Sequence, residues 1–171
     1  MSEPDLYLSQ IFANFKTVIL STVSSKGTPE ASYAPSVLDD KKNFYVYVSS
    51  LAKHTANLTF SKRASLMIIE DEQQTENLHA RKRLTLNCSI CAIQRESEQF
   101  EEIQKIFIEK FGETSALLKN LLDFKLFCLT PIDGRLVTGF GSTFRLTGTK
   151  IDTLKLVNGP GHIQGSTNEK D

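Results

Sequence analysis

Short apolar runs with a two-residue period recur along this chain, each closed by glycine, proline, asparagine or aspartate, and only one long stretch departs from that period. Side chains that alternate in this way belong to half-buried strands. Residues 17–24 (TVILSTVS) are rich in β-branched side chains, residues 29–37 return after a glycine turn, and residues 44–48 (FYVYV) follow the polar turn 39–43. Two further strands are expected at 64–70 and 84–93, joined by the polar segment 71–79. The exception is 97–122, where Phe100, Ile103, Ile106, Phe107 and Phe111 fall at three- and four-residue steps with charges between them. That spacing predicts an amphipathic helix, which Gly112 divides from a second helical stretch at 116–122. Shorter helices are expected to end at 11–15 and to cover 50–58, the latter with a serine available as its cap. Strand composition returns at 124–129 and 135–146, with 131–134 (PIDG) as the turn between them. The pattern is that of an α+β chain, an antiparallel β-barrel with inserted helices.

With 171 residues the chain is about one domain long and needs no disulfide or structural metal to build a core. Residues 1–156 are read as that domain and 157–171 as a tail with almost nothing to bury. Twenty basic and twenty acidic side chains cancel, so no global field attracts nucleic acid or a membrane surface, and any anion site is local. Charges interrupt the first twenty residues, which leaves no signal-peptide core or membrane span there, and a cytoplasmic location is expected. Three cysteines suit a reducing compartment. Cys88 and Cys91 have the Cys-x-x-Cys spacing, but on a strand residues three apart face opposite ways, so both are read as strand cysteines without a metal or redox role.

Four stretches together carry a resemblance over nearly the whole chain: 50–58 (SLAKHTANL), 80–85 (ARKRLT), 123–127 (DFKLF) leading into 134–141 (GRLVTGFG), and 159–162 (GPGH). They resemble the haem-utilisation split-barrel family (HugZ/HutZ type), a branch of the pyridoxamine-phosphate-oxidase-like flavin-binding barrels. The resemblance implies a homodimer of split barrels with a planar cofactor at the subunit interface. In this branch that cofactor is haem, and in many relatives it is flavin mononucleotide (FMN).

Each candidate residue also has a plain reading. His162, between Gly161 and Ile163, is by composition an exposed tail histidine; the resemblance makes it the axial ligand of haem iron, a role that suits neutral imidazole. Asp123 opens an apolar strand and reads as a surface carboxylate, yet the family sets an aspartate here against the iron-bound histidine of the other subunit, where it would fix the tautomer. Arg81, Lys82 and Arg83 stand together at the start of a strand, where alternation sends Arg81 and Arg83 to the same face; the resemblance gives them to propionates, phosphate or the distal side of the haem. His54 is a polar residue near a helix start that the family motif includes in the site, whereas His79 has no such support. Gly139 and Gly141 are read as a bulge or a point of close approach. The activity the resemblance implies is haem-degrading and oxygenase-like, opening the porphyrin ring and releasing iron with electrons from an external donor. Two alternatives stand beside it: a protein that stores or delivers haem, and an FMN-dependent oxidoreductase.

Overall fold

The computed structural model describes residues 2–148 and 151–157. Helix α1 (Glu3–Asn14) starts at a capping box, in which Ser2 Oγ accepts from the Asp5 N–H and the Asp5 carboxylate accepts from the Ser2 N–H. Strands β1 (Thr17–Val23), β2 (Pro29–Leu38) and β3 (Phe44–Ser49) follow as an antiparallel meander. Helix α2 (Lys53–Phe60) leads to β4 (Arg63–Ile69), and two single turns of 3₁₀ helix separate β4 from β5 (Arg83–Ile93). Helices α3 (Glu98–Phe111) and α4 (Glu113–Lys119) precede β6 (Phe124–Gly139), β7 (Ser142–Thr147) and β8 (Thr153–Leu156).

β1 pairs with both β2 and β4, and β5 lies between β4 and β6. The barrel closes where β3 pairs with the first part of β6, Phe44 opposite Leu129 through Ser49 opposite Phe124. The second part of β6 runs past this closure and carries β7, and β7 carries β8. The expected antiparallel barrel with inserted helices is thus present. Its interior is filled by alternate residues such as Leu20, Leu66, Leu84, Leu86 and Leu136, all 0–1 % exposed. A second core lies outside the wall, where Phe100, Ile103 and Phe107 of α3 cover Tyr45 and Tyr47 of β3 and Leu126 and Cys128 of β6. β3 is therefore buried on both faces, which is why FYVYV reads as an unbroken apolar run.

Three expectations need correction. Residues 131–134 are not a turn: β6 runs straight through them, with Asp133 opposite Asn87, Pro131 opposite Cys88, and Ile132 left over as a bulge. Proline donates no ladder hydrogen bond, and a bulge accommodates it inside a strand. The true reversal lies at 140–141, between Gly139 and its partner Ser142, with Gly141 at φ +71°, so 135–146 is a hairpin and not one strand. Helix α2 begins at Lys53 after Ala52, with no side-chain cap, because Ser49 and Ser50 are engaged elsewhere. The Gly112 division holds, with φ +69° at the α3–α4 junction. Strand β8 had no counterpart in the sequence reading.

Candidate functional site

Leu84 and Leu86 of β5, Leu136 of β6 and Leu146 of β7 point inward, so the residues between them form an outer face. That face holds a cavity of about 770 Å³. Arg83, Arg135 and Arg145 line it, with Asn87, Asp133 and Val157. Asn87 Nδ2 donates to Asp133 Oδ1 at 2.8 Å and occupies that carboxylate. Three guanidinium groups around one cavity repel one another unless an anion lies among them, and their planar forks suit carboxylate or phosphate. The register extends the face sideways. Arg135 pairs with both Thr85 and Arg145, Thr85 with Met67, Met67 with Ile19, and Ile19 with Tyr33. Tyr33 is 65 % exposed and Ile19 36 %, so the same surface is cationic at one end and apolar at the other.

Arg83 lies within this cavity, and its Nη1 donates to the Arg81 carbonyl at 2.8 Å. Arg81 precedes β5, so the expected alternation does not reach it. Its Nε donates to Glu70 O at 2.6 Å and its Nη1 pairs with Glu72 Oε1 at 2.9 Å. Arg135 and Arg145 were missed as site residues, because only the pairing of three strands shows that they share a face with Arg83.

Asp123 stands at the other end of β6. Ser49 Oγ donates to its Oδ2 at 2.9 Å, and Ser50 holds its backbone carbonyl through both N–H (2.8 Å) and Oγ (2.6 Å). Leu51 and Leu122, next to these residues along the two paired segments, are 91 % and 84 % exposed. The carboxylate therefore sits on an apolar rim. His54 lies on α2 at the barrel end, half-buried, with Nδ1 3.0 Å from Ser32 Oγ. Burial lowers its pKa, against a smaller upward pull from Glu30, so the ring is neutral at pH 7. Ser49 links the two neighbourhoods, since its carbonyl accepts from Thr55 Oγ1 of α2 at 2.6 Å. Neither Asp123 nor His54 lines the arginine cavity in a single chain, and Asp123 is twelve residue steps from Arg135, roughly 40 Å of strand path.

His162 lies outside the described residues. The described chain ends at Val157, whose N–H donates to Thr143 O at 2.8 Å and whose side chain lines the arginine cavity. Cys88 is buried and Cys91 exposed, as strand alternation requires. Burial pushes the Cys88 thiol up to about 12, so it is protonated near neutral pH. Among the described residues no group of three or more His, Cys, Asp or Glu side chains is placed to hold a metal, and no helix is long and apolar enough to cross a membrane.

A family model, pyridoxamine 5′-phosphate oxidase, matches residues 8–138. The chain belongs to that family. Within it the resemblance is to the HutZ type. Heme oxygenase HutZ of Vibrio cholerae is 38 % identical over 145 residues, which is 84 % of this chain and 82 % of HutZ. A crystal structure of HutZ from Vibrio cholerae, described there as a heme storage protein, superposes with a TM-score of 0.73 at 35 % identity, over 76 % of this chain and 91 % of that one. ChuZ of Campylobacter jejuni superposes with a TM-score of 0.84 at 27 % identity, over 95 % of this chain and 66 % of that one. As a HutZ-type split barrel, the chain departs from the sequence reading mainly in its second half, where β6 is unbroken.

Proposed function

We propose that the protein binds haem at a homodimer interface and degrades it with electrons from an external donor. The observation that carries this reading is the outer face with three arginines at one end and Tyr33, Ile19 and Met67 at the other. A planar apolar ring bearing two carboxylates has the same division. The cavity size also lies within the range of small-molecule sites. One relative, HutZ of Vibrio cholerae, is named both a heme oxygenase and a heme storage protein.

Haem supplies iron that activates oxygen against its own ring, and the chain supplies the rest. Arg83, Arg135 and Arg145 bind the propionates, Arg83 being steadied by the Arg81 carbonyl. Arg83 would also be available to donate to an oxygen-derived group at the iron, and His54, neutral, would hold its end of α2 through Ser32. His162 would hold the iron through its imidazole. From Val157 to His162 is five residues, a reach of about 17 Å. The longer strand path to Asp123 of the same chain supports the reading in which the aspartate that orients His162 comes from a second copy. Asp123 accepts the free ring N–H and strengthens donation to iron. Two copies in the cytoplasm complete both sites.

FMN binding is the second reading, favoured by the family match and by the ability of the same arginines to hold a phosphate. Absorption spectra of the full chain titrated with hemin and, separately, with FMN decide between them. A Soret band that saturates near one haem per chain is expected; saturable FMN binding with no shifted Soret band would replace this reading with the flavin one.

A further inference from the structure

The loop that carries Asp123 is held from behind by one guanidinium. Arg95 follows β5, and its Nη1 donates to Lys119 O at 2.7 Å. Its Nη2 donates to Tyr47 Oη at 2.9 Å, to Leu121 O, and more weakly to Phe124 O at 3.4 Å. Lys119 ends α4, where the last carbonyls have no helical partner, and Phe124 opens β6. The accepted bonds thus bracket Asp123, two carbonyls before it and one after. Phe100 of α3 packs against the same cation, with the ring centre 5.4 Å from the guanidinium carbon. On the opposite side Ser49 and Ser50 take the Asp123 carboxylate and carbonyl. A planar fork meets several acceptors at fixed angles, and a lysine cannot reproduce that. Burial raises the Tyr47 phenol, the Arg95 charge lowers it, and Asp123 raises it again, so both charges act on the same ring.

We propose that Arg95 is a positioning residue, fixing loop 120–124 so that the Asp123 carboxylate stands where the tail histidine of a second copy meets it. This inference rests on the orienting role given to Asp123 above. Arg95 touches neither haem nor oxygen; it acts through the loop.

The test compares Arg95→Met, Asp123→Asn and the double variant, all as full-length protein. Three quantities are read: amide exchange of residues 120–124 without haem, hemin affinity, and single-turnover breakdown of bound hemin with ascorbate. In Arg95→Met the loop amides should exchange faster, hemin affinity should hold, and turnover should fall about 10-fold. The double variant should be no slower than Asp123→Asn alone. Unchanged exchange in Arg95→Met, an unchanged rate, or losses that multiply in the double variant would each overturn the proposal. If Asp123→Asn itself turns over normally, the role of the aspartate fails. Arg95 is then judged on loop exchange alone, where faster exchange upholds its hold on the loop. Arg95→Lys keeps the charge and loses the fork. It should show the same changes at smaller size, and it serves in place of Arg95→Met if that variant does not fold.

Discussion

Ser49 Oγ donates a hydrogen bond to Asp123 Oδ2 at 2.9 Å, joining the end of β3 to the residue just before β6. One carboxylate oxygen is thereby taken and the other left on the exposed rim beside Leu51 and Leu122. A carboxylate anchored on one oxygen presents the second in a fixed direction, as a histidine-orienting group requires.

Asp123→Asn should bind hemin with near-normal affinity and break it down about 10- to 100-fold more slowly. A mixed dimer sharpens the point. With His162→Ala on one subunit and Asp123→Asn on the other, a cross-subunit arrangement puts both defects in one site and leaves the other site intact. About half the hemin capacity then remains, with a normal rate per bound haem. Pairing within one chain damages both sites, and no normal rate survives.

Gln104 of α3 is fully buried, and among the described residues neither its amide nitrogen nor its amide oxygen has a hydrogen-bond partner. Replacing it by leucine removes two unsatisfied polar atoms, so Gln104→Leu should raise stability by about 1–3 kcal/mol in urea unfolding. A loss of stability would show that the amide is bound to something, such as an internal water.

Gly134 of β6 packs tightly against Leu86 and Thr85 of β5. A Cβ there would lie 2.7 Å from the Thr85 carbonyl oxygen and would also strike Leu86 Cδ2. Gly134→Ala should therefore cost about 1–3 kcal/mol by overpacking, read as a lower urea midpoint. An unchanged midpoint would mean that β6 can shift at the bulge.

His54 sets a pH dependence. Its folded pKa lies below the unfolded value of 6.5, so as pH falls through 6.5 the unfolded chain takes up a proton that the folded chain refuses. Stability should fall with pH in the window from 6.5 down to the folded pKa, and be level above it. His54→Asn should flatten that slope between pH 7.5 and 5.5 in urea unfolding; an unchanged slope would assign it to other groups.

The first half of the barrel was legible because β1 alternates, β3 is a short unbroken apolar run and α3 keeps a helical period, each bounded by residues that stop it. The second half was harder for a physical reason. Pro131 and Gly134 have the composition of a turn, yet the proline is absorbed at a bulge and the glycine serves a close strand contact. Of the candidate site, Asp123, Arg83 and His54 were found through motif resemblance, and the register alone shows that Arg83 pairs with Val137, at the far end of β6 from Asp123. Arg135 and Arg145 carry no local signal, since a cation on an alternating strand also reads as solvated. Arg95 looks the same in sequence, a charge at a strand end, until its three carbonyl partners are seen.

The central claim is that haem is held through His162. Hemin titration of the wild type and of His162→Ala, followed by absorption, tests it most directly. The wild type should give a sharp Soret band saturating near one haem per chain, and His162→Ala should lose that band and bind hemin at least about 10-fold more weakly. The same band and the same affinity in His162→Ala would contradict the account.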